Sequence, residues 1–301
     1  MRKKSKKRNK MIGVALVIIV LLFGIITVKF IQYEKIIEDT ERTWLITQYG
    51  PRDVNSMFYT LYGGKGQLIV VDGGWTEDAD FVRQTIKEMG GKVDAWILTH
   101  PHQDHIGAFN AIYSDLQGIE IKEVYTVDMP SPKLCQERAH WDSVDTYNDF
   151  LDLNVKNLKY VYPGDELNIC GLKVDIYNDE HVKELSQDYL NDGSMMFKVQ
   201  GEKSSMLFCA DVGKAMSDYL LDTWGEKLKA DYIQMGHHGN GGLLKDFYEE
   251  VSPKLAFFDA PDWLMYDETG KYTTPENAKE MESLGSEVVS FHTQPNTVSI
   301  E

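Results

Sequence analysis

Three imidazoles and a carboxylate fall within six consecutive residues, His100-Pro101-His102-Gln103-Asp104-His105, in a 301-residue chain that holds only eight histidines. Imidazole and carboxylate are the donors that suit zinc, manganese and iron. His100 and His102, two apart on an extended segment, can face the same side. Asp104 and His105 follow one step later, where Ile106-Gly107-Ala108-Phe109 opens like a helix, so they can address a second point in space. That spacing suits two neighbouring divalent cations. In such a pair a carboxylate bridges cations about 3.5–4 Å apart, and a water shared between them loses a proton near neutral pH. The resulting hydroxide is a nucleophile that needs no serine or cysteine. The plain alternative is a polar loop of hydrogen-bonded histidines.

Three other apolar runs end in groups of the same kind. Leu68-Ile69-Val70-Val71 closes on Asp72, Met206-Leu207-Phe208-Cys209-Ala210 on Asp211, and Tyr232-Ile233-Gln234-Met235-Gly236 on His237-His238-Gly239. In this order, around the H-x-H-x-D-H run, they resemble the signature of the metallo-β-lactamase-fold hydrolases, over about residues 43–301. Two branches look similar: the metallo-hydrolase domain of bacterial DNA-uptake competence channel proteins and the teichoic-acid phosphorylcholine esterases. The shared segments are Asn191-Asp192-Gly193-Ser194 ahead of a hairpin and His237-His238-Gly239. The resemblance implies an α/β fold, a four-layer αββα sandwich. It also implies a ligand set, with His100, His102 and Asp211 on a first metal and Asp104, His105, Asp211 and His237 on a second. Zinc is the expected cation, with manganese or iron as alternatives.

Neighbouring histidines diverge, so His237 and His238 cannot easily serve one metal. His237 is taken as the ligand. His238 is left to contact the scissile phosphate or protonate the leaving group, which suits a near-neutral pKa. Asp104 and His238 are thus the catalytic candidates. Asp72 reads equally as an acid that orients metal-bound imidazoles and as a turn-forming residue before Gly73-Gly74. Asn191 and Ser194 either touch substrate or shape a turn. One departure stands out. Many family members give the first metal a third histidine, but Val174-Asp175-Ile176-Tyr177-Asn178-Asp179 contains none, and His181 lies in a polar insertion beyond it. Trp263, Tyr266 and Tyr272 crowd one late loop, where they could enclose a quaternary ammonium or simply pack. His140 and His292 carry no partner pattern.

The first ten residues hold seven cations and no acid, and Met11 to Val28 then runs eighteen positions without a charge. A helix of that length is roughly 27 Å long, enough to cross a bilayer. The expected layout is a basic cytoplasmic tail over 1–10, a transmembrane anchor over 11–30, a stalk over 31–42 and a hydrolase domain over 43–301 outside the cell membrane. A cleaved signal peptide is the rival, but no Ala-x-Ala-like site follows the apolar run. The formal charge of −16 becomes −23 once the seven leading cations are set aside. So acidic a domain disfavours nucleic acid as a bulk partner. Cys135, Cys170 and Cys209 are too few for a disulfide framework. One Cys135–Cys170 bridge remains an option, with Cys209 as a core residue.

The apolar periodicity gives alternating elements. Strands are expected at 44–49, 57–62, 67–71, 95–98, 122–127, 167–170, 172–177, 195–199, 205–210 and 288–291. Helices are expected from Thr76 to Met89 (stopped by Gly90-Gly91), 104–114, 141–153, 215–221, 243–251 and from Thr274. Ligands at strand ends, with helices between, imply two sheets packed face to face. The functional expectation is a binuclear metal-dependent hydrolase of phosphodiesters or phosphate esters, acting on a small molecule or a cell-envelope polymer. A DNA-uptake nuclease and a lactone, lactam or thioester hydrolase are the enzymatic rivals. A catalytically silent binding module of the same fold is the rival of another class.

Overall fold

The computed structural model describes residues 42–50, 53–179, 184–291 and 294–301, together with Thr27 and Lys29. The basic tail, nearly all of the anchor and stalk, His181 and His292 lie outside these residues. Among the described residues no helix is long and apolar enough to cross a membrane. Trp44–Glu301 clusters as one compact unit, and its fold is as follows.

The first sheet is built from β1 (Trp44–Gln48), β2 (Phe58–Gly63), β3 (Leu68–Asp72), β5 (Ala95–Ile97), β7 (Val124–Thr126), β8 (Leu158–Tyr160) and the C-terminal β16 (Asn296–Ile300). Its spatial order is β16-β1-β2-β3-β5-β7-β8, while β4 (Lys92–Val93) and β6 (Glu120–Ile121) pair separately. The second sheet holds β9 (Glu166–Ile169), β10 (Leu172–Asn178), β11 (Met196–Gln200), β12 (Ser205–Phe208), β13 (Tyr232–Gln234), β14 (Leu255–Phe258) and β15 (Glu287–Ser290), in the order β15-β14-β13-β12-β11-β10-β9. The helices are α1 (Ala79–Glu88), α2 (Gln103–Ser114), α3 (Pro132–Arg138), α4 (Asp145–Asp152), α5 (Tyr189–Asp192), α6 (Ser217–Trp224), α7 (Lys245–Val251), α8 (Asp262–Met265) and α9 (Thr274–Ser283).

Side-chain alternation explains the layering. Along β12, Met206 and Phe208 enter the core between the sheets, whereas Leu207 turns to a second cluster with Leu220 of α6 and Phe247 of α7. This is the period of two that strand geometry imposes. Phe208 stacks on Phe197 and meets Tyr59 of the opposite sheet edge-on, with ring centroids 4.7 and 5.2 Å apart. β3, every residue of which is buried, is apolar up to Asp72 because it lies inside a sheet covered on both faces.

Half of each sheet is parallel. β3, β5, β7 and β8 run together in one, and β12, β13, β14 and β15 in the other. Their carboxyl ends carry Asp72, the His100–His105 loop, Asp211, the His237–His238 pair and Asp259. Binding at the carboxyl ends of parallel strands is the general habit of such sheets.

Several boundaries differ from the sequence reading. The helix expected from 141 begins at Asp145, α3 and β16 were not foreseen, and the final strand is β16 rather than 288–291. The helix expected from Thr76 begins at Ala79; a single 3-10 turn, Thr76–Asp78, precedes it, and the Asp78 carboxylate accepts the Trp75 N–H at 3.0 Å. All three cysteines are free thiols, so the Cys135–Cys170 bridge is absent; Cys135 is buried while Cys170 is exposed.

Candidate metal centre

The His100–His105 loop leaves β5 and turns at once into α2, with the His102 carbonyl accepting the Ile106 N–H at 2.9 Å. His100 and His102 therefore sit on extended backbone, while Asp104 and His105 sit in the first helical turn. The first pair gathers with Asp211 and the second pair with His238, each set close enough to hold one cation.

The hydrogen bonds fix which nitrogen faces inward. Asp72, fully buried, accepts the Thr99 N–H at 2.8 Å, the Thr99 hydroxyl at 2.6 Å and His105 Nδ1–H at 2.7 Å. Of its two readings, Asp72 thus orients an imidazole. With Nδ1 donating, His105 Nε2 carries a lone pair, yet it lies 3.2 Å from Asp211 Oδ1. His238 Nδ1 donates to the Asp259 carbonyl at 3.1 Å. Its Nε2 lone pair lies 3.2 Å from Asp104 Oδ2, 3.4 Å from Asp211 Oδ2 and 3.4 Å from His105 Nε2. Lone pairs and carboxylate oxygens converging at these distances repel unless a proton or a cation lies between them. Asp211 Oδ1, moreover, is buried without a hydrogen bond. On the other side, His102 Nε2 donates to Asp142 Oδ2 at 2.7 Å, leaving its Nδ1 3.0 Å from His100 Nε2. The donor set fits two divalent cations: His100 Nε2, His102 Nδ1 and Asp211 at one position, and Asp104, His105 Nε2, His238 Nε2 and Asp211 at the other.

Without cations, protons fill the gap. Burial resists charge on His105, but the Asp211 and Asp72 carboxylates hold its pKa well above the usual imidazole value. His238 is likewise pushed up to about 10 by Asp211 and Asp104 against the burial penalty. His100, buried among other imidazoles, is held well below the ordinary value. Asp211 is held well below the usual carboxylate range by His238 and His105 despite its burial. Burial pushes Asp259 up to about 6; its carboxylate accepts hydrogen bonds of 2.8 Å from both Gln48 and Tyr59, tying the two sheets together beneath the centre.

One assignment is corrected. His238, not His237, joins Asp104 and His105. His238 is buried, with Nδ1 on the Asp259 carbonyl and Nε2 among Asp104, Asp211 and His105. His237 is 38 % exposed, with Nε2 3.9 Å from Asp211 Oδ2. The reason is backbone conformation. Both histidines have positive φ, 49° and 56°, so their directions do not follow strand or helix alternation. Asp72 and Ala210, at the ends of their runs, share this left-handed region. Non-glycine residues adopt it at a cost and are found disproportionately at functional sites.

The remaining candidates have other partners. Asn191 of α5 donates to Asp188 Oδ2 at 2.9 Å, and Ser194, just before β11, is fully buried with its hydroxyl 3.4 Å from the Leu190 carbonyl. Trp263 meets Tyr272 edge-on at 5.4 Å, Tyr266 is exposed, and Lys271 already lies over the Tyr272 ring. His140 is exposed and packs on Trp141. Sequence reasoning missed Thr99, Asn55, Asp142 and Asp259. Asn55 donates to Asp104 Oδ2 at 2.6 Å, from a segment 49 residues away, and no local spacing announces such a partner.

Two packed sheets gather imidazoles and carboxylates at the ends of their parallel strands, in two groups that could each hold a metal ion. Residues 49–249 match the model of the metallo-β-lactamase superfamily. RNase aCSPSF2 of Saccharolobus solfataricus is 24% identical over 67% of this chain and 41% of its own length. ComE operon protein 3 of Bacillus subtilis is 24% identical over 56% of this chain and 20% of its own length. The matched stretch therefore spans less than half of either relative. CmlA, a diiron β-hydroxylase from Streptomyces venezuelae, shares the fold, with a TM-score of 0.53 at 14% identity over 86% of this chain and 54% of that one. The chain belongs to the metallo-β-lactamase superfamily and is a metal-dependent hydrolase.

Proposed function

We propose that this chain is a membrane-anchored, extracellular hydrolase of phosphodiesters or phosphate esters, with a cell-envelope polymer or a small phosphoester as substrate. The observation that carries the reading is the convergence of lone-pair nitrogens and carboxylate oxygens at two adjoining points, with His237 half-exposed 3.9 Å from Asp211. Two divalent cations held there would polarise a phosphoryl oxygen and lower the pKa of a water. The chain's own residues supply the rest. Asp211 faces both positions and aligns them. Asp104 is oriented by Asn55, and His105 by Asp72. His237, 38% exposed beside Asp211, would contact a phosphoryl oxygen or pass a proton to the leaving group. The acidic charge of −16 weighs against a polyanion held along a broad surface, although one relative is named an RNase.

The test is metal analysis of the purified full-length chain beside hydrolysis of bis-p-nitrophenyl phosphate, a lactone and a thioester. The expected result is close to two cations per chain and phosphodiester cleavage that disappears in His102→Ala. Turnover of the lactone or thioester alone would shift the reading to acyl chemistry. A folded chain without cations or activity would leave a silent binding module.

A further inference from the structure

His102 is the least enclosed imidazole of the two candidate positions, its side chain being 13% exposed. His100 is buried and its Nδ1 meets the Thr99 hydroxyl at 3.2 Å; Asp211 is buried, 3.8 Å from His100 Nε2 and 3.2 and 3.4 Å from His105 and His238 Nε2. The outer nitrogen of His102 is anchored by Asp142, at 2.7 Å. Asp142 is itself fixed. Its Oδ1 accepts the Ser143 N–H at 2.9 Å, and its backbone N–H donates to the Ala139 carbonyl at 2.9 Å. The turn is pinned at its far end too, because the Thr146 carbonyl accepts from Asn110 of α2 at 3.0 Å. Asp142 therefore offers Oδ2 from a stiff support, and only the tautomer with Nε2–H can use it. That tautomer leaves Nδ1 as the lone pair facing His100 Nε2.

We propose that Asp142 is the positioning residue of the first metal position, where it sets the tautomer and ring orientation of His102 and offsets the absence of a third imidazole from β10. The inference rests on the two-cation reading. A carboxylate that accepts the outer N–H makes an imidazole a stronger donor and holds its direction. Among the described residues the second position has four donors and the first has three, so the first needs this help more. The same turn exposes Trp141, at 63%, beside the acid.

The experiment is zinc titration of the chelator-stripped full-length chain against a competing chromophoric chelator, with melting curves of the metal-free and loaded forms. The wild type takes up two equivalents. In Asp142→Ala the weaker equivalent loses affinity by about 10–100-fold while the tighter one is unchanged. Asp142→Asn keeps an oxygen acceptor for Nε2–H without the charge, and falls between. Trp141→Ala, which alters the turn without the acid, keeps both affinities. If Asp142→Ala fails to fold, Asp142→Asn carries the test through its weaker equivalent. A purely structural role would lower the melting temperature of the metal-free variants and leave both zinc affinities intact, and that result overturns the proposal. A wild type that binds fewer than two equivalents would instead remove the two-cation reading, and this inference with it.

Discussion

The two cation positions lie side by side, yet the chain builds them differently. The second, with Asp104, His105, His238 and a share of Asp211, is buried, and each of its own donors is held by a buried or partly buried partner: Asn55, Asp72 and the Asp259 carbonyl. The first has two imidazoles and the other share of Asp211, and one of its imidazoles reaches the rim. Preorganisation accounts for the contrast. Donors locked by buried hydrogen bonds spend little entropy on binding a cation. Donors at the rim spend more, but they leave space for a substrate. The second position should be the tight one and the first the exchangeable one.

The largest effect should come from the residue that both positions share. Asp211→Asn removes one anionic oxygen from the shared bridge, and both cations should be lost or bound loosely. Activity should fall by more than about 100-fold, beyond the range for partners one step removed from the metal. Metal content and turnover measured together check this. If Asp211→Asn kept one tight cation, the second position would not need the bridge, and the asymmetry would be sharper than drawn.

The adjacent histidines separate the positions next. His238→Ala should release the second cation and leave the first donors in place. His237→Ala should keep both cations and reduce turnover by about 10²–10⁴-fold, as expected for loss of a proton donor or a phosphate contact. Metal content by elemental analysis, beside the rate on a phosphodiester, distinguishes them. Loss of a cation in His237→Ala, with two retained in His238→Ala, would reverse the assignment made from the geometry.

How much of this was legible in the sequence follows from the distances along the chain. The His100–His105 run was readable because its donors are local and strand and helix periodicities give their directions. Asp72 and Asp211 were readable as polar ends of apolar strands. The His237–His238 choice was not, since consecutive left-handed residues obey neither periodicity. Asp142, 40 residues from His102, and Asn55, 49 from Asp104, are brought in by tertiary packing alone. The fold was legible where the runs are apolar. β16 escaped because its burial alternates between intermediate and exposed until Ile300, as suits an edge strand beside β1. α3 was missed although Ser131 caps it and Pro132 occupies its first position, a start signal that the sequence did contain.

The smallest and most discriminating effect is in pH. A cation binds imidazole only in its neutral form, so each raised imidazole must give up a proton on loading. At the second position His105 and His238 are both raised, His238 to about 10. At the first, burial opposes charge on His102 but the Asp142 hydrogen bond raises it, while His100 is held well below the ordinary value and is already neutral. Between about pH 5.5 and 6.5, below the usual imidazole value, the second position therefore expels two protons and the first expels one. The sign is the same for both: affinity rises with pH, because protons compete with the cation, and the dependence ends as pH passes the metal-free pKa of each imidazole. The slopes differ. Zinc affinity should climb about 100-fold per pH unit at the second position and about tenfold at the first. Competition titrations at several pH values resolve the two equivalents. Equal slopes would mean that one imidazole of the second position is neutral before the cation arrives, and the two positions would then differ only in exposure.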